Sequence, residues 1–274
     1  MTARPLPPPV TPLPGRMWRA DGVGDITRDV PAETAIALSF DGEPYAVVMA
    51  TPRDVTELAI GFTVSEAIAA FADIRDVAVE VHELGITADV RLDGAAAPAR
   101  ARSIEGRTSC GLCGVERLED AMRPTPRVAA RLDIAPEAIQ RATAAFDGAQ
   151  PLGRETRATH AAAFAAPDGR VLLVREDVGR HNALDKLGGA LLAAGIDPAT
   201  GFILITSRCS FEMVEKTARL GAPMIVAISA PTALAIRRAE EAGLTLVALA
   251  RADGHTVFSA PSDEPADRLP RDRI

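Results

Sequence analysis

The chain has 274 residues, 47% of them hydrophobic and 24% charged, with a formal net charge of −7 and three cysteines. That composition is ordinary for a globular protein, and the length allows one large core or two smaller domains. The acidic balance argues against a general binder of nucleic acid or of an anionic membrane. One Trp and one Tyr are too few for a base-stacking platform. No run approaches the roughly 20 apolar residues that span a bilayer.

An odd cysteine count is no disulfide scaffold, and the start of the chain lacks the apolar stretch of a secretory signal, so a cytoplasmic protein is expected. Residues 1–30 are expected to form a mobile tail, since Pro5, Pro7, Pro8, Pro9, Pro12 and Pro14 crowd its first half. A smaller α+β domain is expected over 31–125. It opens with apolar runs Ala35–Phe40 and Tyr45–Met49 around Asp41-Gly42, a hairpin signal. A helix follows Pro52, with Val55, Leu58 and Phe62 on one face, Glu57 and Glu66 on the other, and Thr51 as N-cap. Val77–Val81 and Ala88–Leu92 are a second strand pair joined through Gly85. A loop from Gly94 to Arg107 leads into the cysteine motif, and a short helix is expected over Leu118–Met122.

Beyond a helix at Pro136–Phe146 the pattern changes. His160–Ala165 and Arg170–Arg175 flank Pro167-Asp168-Gly169 as a hairpin, and strands then alternate with helices. Helices are expected at His181–Ala194, Phe211–Leu220 and Thr232–Ala242. Strands are expected at Phe202–Thr206, Met224–Ser229, Thr245–Arg251 and Thr256–Ser259. The nearly all-apolar strands imply a parallel core with right-handed crossovers, hence an α/β domain over 126–260 and a second mobile tail over 261–274. Ligands of such sheets gather at the carboxyl ends of strands. Those ends carry Glu176–Asn182, Ser207-Arg208-Cys209-Ser210, Ser229-Ala230-Pro231-Thr232 and Arg251-Ala252-Asp253-Gly254, a set of hydroxyls, arginines and helix starts suited to a phosphorylated ligand. Asp177 is expected to be a helix-start carboxylate. His181 is either a ligand-loop donor or a core-edge residue, and Arg251 either a phosphate contact or a strand-end cap. Cys209 is expected to be a small, partly buried residue and not a third catalytic thiol.

The chemistry points to Ser109-Cys110-Gly111-Leu112-Cys113-Gly114. Glycines after both thiols make a pliable turn, which suits sulfur or metal chemistry better than packing. A structural zinc site lacks two ligands unless Cys209 and a histidine supply them. A zinc deaminase lacks its H-x-E. A dithiol redox pair and a persulfide carrier stay open. Arg107, three residues ahead, would lower a thiol pKa if it lies close. No Walker loop, H-E-x-x-H or G-x-S-x-G occurs.

The chain resembles the formate dehydrogenase accessory sulfurtransferase (FdhD) family. The resemblance is carried by Thr108–Gly114, by Arg175–Lys186, by Thr206-Ser207-Arg208 with Ser210–Val214, by Ser229–Thr232 and by Leu244–Val247, and it spans about Pro31 to Phe258. It implies a persulfide on Cys110, with Cys113 as the second motif cysteine, taken from a cysteine desulfurase. The sulfur passes to the molybdenum cofactor as bis(molybdopterin guanine dinucleotide), before insertion into formate dehydrogenase. The cofactor-binding loop maps to Leu249, Ala250, Arg251, Ala252, Asp253 and Gly254. There Asp253-Gly254-His255 stands where the family commonly has a basic pair. The resemblance also implies a homodimer and a three-layer, cytidine-deaminase-like C-terminal domain. The alternative reading is a non-catalytic chaperone that holds cofactor and target enzyme.

Overall fold

The computed structural model describes residues 4–94 and 124–261. Cys110, Cys113, the preceding loop and the helix expected at Leu118–Met122 lie outside the described residues.

The expected α/β class is what the chain forms. Its larger sheet has six strands. These are β7 (His160–Ala165), β8 (Val171–Asp177), β9 (Phe202–Ile205), β10 (Met224–Ala227), β11 (Thr245–Arg251) and β12 (Gly254–Ser259), in the order β12-β11-β10-β9-β7-β8. β9, β10 and β11 are parallel, whereas β7 and β12 run against their neighbours. The parallel core is therefore three strands wide with antiparallel flanks.

Helices α4 (Arg180–Ala193), α5 (Phe211–Leu220) and α6 (Ala233–Ala242) cover one face of this sheet. Leu184, Leu187, Met213, Val214, Ala235 and Ala239 pack there on Phe164, Ile203, Ile225 and Leu246. The other face carries α2 (Pro136–Gly148), whose Ile139, Ala142 and Phe146 meet Ala163, Leu204 and Val226. Alternate residues of each strand thus feed opposite cores, which is why these strands are apolar throughout. A short helix, α3 (Pro151–Thr156), follows α2.

The smaller sheet has the order β4-β3-β6-β5, from β3 (Thr34–Phe40), β4 (Glu43–Ala50), β5 (Ile74–Val81) and β6 (Ile86–Leu92). Asp41 and Gly42 take φ of 51° and 86°, so the hairpin closes through the primed turn that matches strand twist. The Asp89 carboxylate holds that turn, accepting from Ser39 Oγ at 2.6 Å and Gly42 N at 2.8 Å.

Helix α1 (Val55–Ser65) follows β4. One side of it buries Leu58 and Phe62 on Ile36, Leu38 and Val90. The opposite side, which carries Glu57, packs on α4, with Gly61 and Gly189 at the crossing. A Cβ on Gly61 would lie 1.7 Å from the Asp185 carbonyl oxygen, and one on Gly189 would lie 1.9 Å from that of Glu57. The acidic residues of that side make ion pairs. The Arg175 guanidinium holds Glu57 through two bonds. The buried Lys216 Nζ reaches Glu66 Oε1 at 2.9 Å, Asp185 Oδ1 at 2.9 Å and Ser65 Oγ at 2.8 Å. Burial alone would lower the Lys216 pKa, but the Asp185 and Glu66 carboxylates hold it above its ordinary value.

Two expectations are corrected. Residues 10–31 are not part of a loose tail: β1 (Val10–Arg19) and β2 (Gly22–Pro31) pair antiparallel along their whole length. Pro12 and Pro14 share one parity, so both nitrogens face the same side of β1, and a two-stranded ribbon has an outer side that needs no N–H donors, so proline does not exclude pairing. Thr51 is not the N-cap of α1. That position is Asp54, in the left-handed conformation, while Thr51 is buried.

Candidate functional site

The ends of the larger sheet bring the predicted loops together. β8, β9, β10 and β11 all end on one rim, and β7 begins there. Backbone bonds knit the loops into a continuous surface. Thr206 N donates to Ala161 O, Ile228 N to Ile205 O at 2.9 Å and Leu249 N to Ser229 O at 3.2 Å. Cys209 and Pro231 form a parallel bridge, closed by Cys209 N to Ala230 O at 3.2 Å and Thr232 N to Cys209 O at 2.9 Å.

Three helices, α4, α5 and α6, start on this rim. The first N–H groups of a helix have no intrahelical acceptor and carry partial positive charge. Thr232 Oγ1 caps α6 by accepting from Ala235 N. Arg180, Arg208 and Arg251 stand on the same rim, and none of them has an ion pair among the described residues. Cationic side chains and helix starts thus gather on one rim beside the half-buried Ser229, while the buried Ser207 hydroxyl donates to Arg208 O at 3.0 Å; such groups suit an anion.

The loop Leu249–Gly254 sits at the β11 end. Leu249 is in the left-handed region at φ 54°, beside a register shift between Ala248 and Arg251, and its side chain is exposed. It is the one non-glycine residue with positive φ inside a strand among the described residues. Holding a leucine there costs about 1–2 kcal/mol, and such strain persists only where surroundings enforce it. Arg251 Nη1 donates to Ile228 O at 2.6 Å and to Ala250 O at 2.7 Å, so it ties the ends of β10 and β11 while its guanidinium stays exposed. Ala252 and Asp253 are exposed and Gly254 half-buried.

Around the other predicted residues the structure decides between readings. His181 is buried in the first turn of α4, which fits a core-edge residue, whereas Arg180 beside it is half-buried on the rim. Cys209 is fully buried, and burial pushes its thiol up to about 12. A thiol so buried and so rarely ionised is not a nucleophile. Iodoacetamide at about pH 8 is expected to leave it unlabelled in the native protein and to label it on unfolding. Peptide mapping checks this, and native labelling at Cys209 would contradict its burial.

Two groups were missed as site components. His160 opens β7 with Nδ1 3.4 Å from Thr206 Oγ1, and its pKa is lowered by burial and by the Arg180 charge, against a smaller opposing effect of Asp177. Past β8 the rim continues into a recess of about 470 Å3 lined by Gln150, Arg154, Arg157 and Thr159. No spacing signal points to either, because they reach the rim through β7 and α3. A larger groove of about 740 Å3 lies along the β8 edge and includes Asp168 and Gly169, at the far end of the sheet from the rim.

The FdhD/NarQ family model matches residues 31–263. The chain belongs to the FdhD/NarQ family. Among its FdhD relatives, a sulfur carrier protein FdhD of Cupriavidus necator is 45% identical over 248 residues, covering 89% of this chain and 86% of that one. That of Xanthomonas euvesicatoria is 47% identical over 236 residues, covering 85% and 84%. That of Agrobacterium fabrum is 46% identical over 249 residues, covering 88% and 89%. In structure, the chain is similar to a crystal structure assigned as a formate dehydrogenase accessory protein from Desulfotalea psychrophila. The TM-score is 0.73 and the identity 27%, with 93% of this chain and 99% of that chain covered. Among the described residues of this FdhD-family chain, no helix is long and apolar enough to cross a membrane.

Proposed function

We propose that this chain is a sulfur carrier for formate dehydrogenase maturation. It accepts sulfur as a persulfide on Cys110 from a cysteine desulfurase and passes it to the molybdenum cofactor, as bis(molybdopterin guanine dinucleotide), before the cofactor enters formate dehydrogenase. The FdhD relatives, sulfur carrier proteins, support the carrier role, and the structural neighbour, assigned as a formate dehydrogenase accessory protein, supports the link to that enzyme. The observation that carries the cofactor half is the rim, where the 249–254 loop joins three helix starts and Arg180, Arg208 and Arg251. Those groups fit the phosphates of a guanine dinucleotide, which is the substrate here.

In the loading step the Cys110 thiolate attacks the outer sulfur of the donor's persulfide. A new S–S bond forms, the donor's S–S bond breaks and the donor cysteine leaves as a thiolate, so no outside oxidant is needed. The test is intact mass after incubation with a desulfurase and cysteine. A gain of one sulfur, about 32 Da, lost on reduction, is expected. An unchanged mass leaves the chain as a cofactor-holding module.

A further inference from the structure

We propose that Asp177, acting with Lys186 and Thr51, is a positioning residue of the rim: it fixes the turn between β8 and α4 and thereby the placement of Arg180 and of the α4 start. The inference rests on the reading of the rim as a guanine-dinucleotide site.

Only Val178 and Gly179 separate the end of β8 from Arg180. Both N–H groups of this turn are taken by side chains. Gly179 N donates to Asp177 Oδ1 at 2.7 Å, and Val178 N to Thr51 Oγ1 at 3.1 Å. The fully buried Asp177 carboxylate also accepts from Thr51 N at 2.9 Å and from Asn182 Nδ2 at 3.0 Å, and it pairs with Lys186 Nζ at 2.7 Å. Lys186 Nζ reaches back to Thr51 O at 2.9 Å, and Asn182 Nδ2 to Met49 O at 2.8 Å. Gly179 admits this arrangement, because a Cβ there would lie 2.7 Å from Asn182 Nδ2.

Stability alone does not explain such a lock. Two charges stripped of water cost several kcal/mol each, and apolar pairs of similar volume are often as stable. Direction is what the ions supply. A carboxylate with four donors around it fixes the turn in one conformation, where an apolar contact would let it slide. The turn carries Arg180 at the rim, close enough for its charge to act on His160. The lock also pins the corner before α1 to the rim, so the smaller sheet unit contributes to the site through Thr51 without reaching it.

The experiment compares guanosine diphosphate affinity and sulfur uptake on Cys110 in the full chain. An Asp177→Leu, Lys186→Met variant removes both charges together. It leaves Gly179 N, Thr51 N and Asn182 Nδ2 without their carboxylate acceptor, so it is expected to fold with a lowered unfolding midpoint, to load sulfur as the native chain does and to bind the nucleotide about tenfold more weakly, the factor that about 1.4 kcal/mol represents. Thr51→Val, which removes only the acceptor for Val178 N, is expected to weaken binding several-fold and decides the matter if the double variant does not fold. Phe146→Leu, in the core on the opposite face of the sheet, serves as a control. It is expected to lower the unfolding midpoint and keep native affinity, which separates positioning from general loosening. Native affinity in folded variants of the lock overturns the proposal while leaving the dinucleotide site standing. No nucleotide binding by the native chain overturns both.

Discussion

A Cys110→Ala variant is expected to support no formate dehydrogenase activation above that of a strain lacking the protein, with its unfolding midpoint unchanged. Under the proposed route the sulfur is held by a covalent S–S bond, so a side chain without sulfur offers no partial substitute. Cys209 cannot stand in for it. That thiol is sealed in the core, and with its pKa pushed up to about 12 it has almost no thiolate at neutral pH. The variant should also lose the mass gain of one sulfur on incubation with desulfurase and cysteine. Formate oxidation in a complemented deletion strain measures the first outcome and intact mass the second. Full activation by Cys110→Ala would return the motif to a docking loop and the protein to a cofactor-holding chaperone.

Gly61→Ala and Gly189→Ala are each expected to destabilise the protein by about 3 kcal/mol or more, at the upper end of the range for overpacking. The sign is informative, because glycine to alanine inside a helix otherwise stabilises by about 1 kcal/mol. Here the added methyl would stand 1.7 Å and 1.9 Å from carbonyl oxygens of the facing helix. Backbone cannot rotate aside as a side chain can, so α1 and α4 must separate. A shifted α1 would also strain the Arg175–Glu57 and Lys216–Glu66 pairs, which tie α1 and its C-cap to β8 and α5. At roughly 2–4 °C for each kcal/mol, the midpoint should fall by several degrees. Gly148→Ala, at the open end of α2 with nothing within 4 Å of the new methyl, is expected to be neutral or stabilising. Urea unfolding of the three variants checks this, and native stability of Gly61→Ala would mean that the helices do not meet there.

Local signals carried much of the fold. Asp41-Gly42 closes its hairpin with both residues at positive φ, as that dipeptide demands. The Phe211–Leu220 helix and the Thr245–Arg251 strand form over the expected residues, and Thr232 caps its helix. The family motifs likewise pointed to the loops that meet on the rim. Such features depend on a few neighbouring residues, through turn sterics, side-chain period and capping, so they survive in a linear reading.

Other positions were legible only in three dimensions. Thr51 looked like a cap and Asp177 like a helix-start carboxylate, since each type commonly plays that part locally. Their actual partners are 126 residues apart in the chain, with Thr51 N on the Asp177 carboxylate. Glu57 and Glu66 lie on the face away from Val55, Leu58 and Phe62, and a helix pattern shows one apolar face but cannot show a second helix against the other. The β1–β2 ribbon was hidden by prolines whose effect depends on which edge of a ladder they face. Chain composition, turn chemistry and the family-bearing motifs were thus set by the sequence itself, because each rests on contacts a few residues long. The helix crossing at Gly61 and Gly189, the buried ion pairs and the gathering of loops, arginines and helix starts on one rim were decided by tertiary structure, because each exists only where distant segments exclude water from one another.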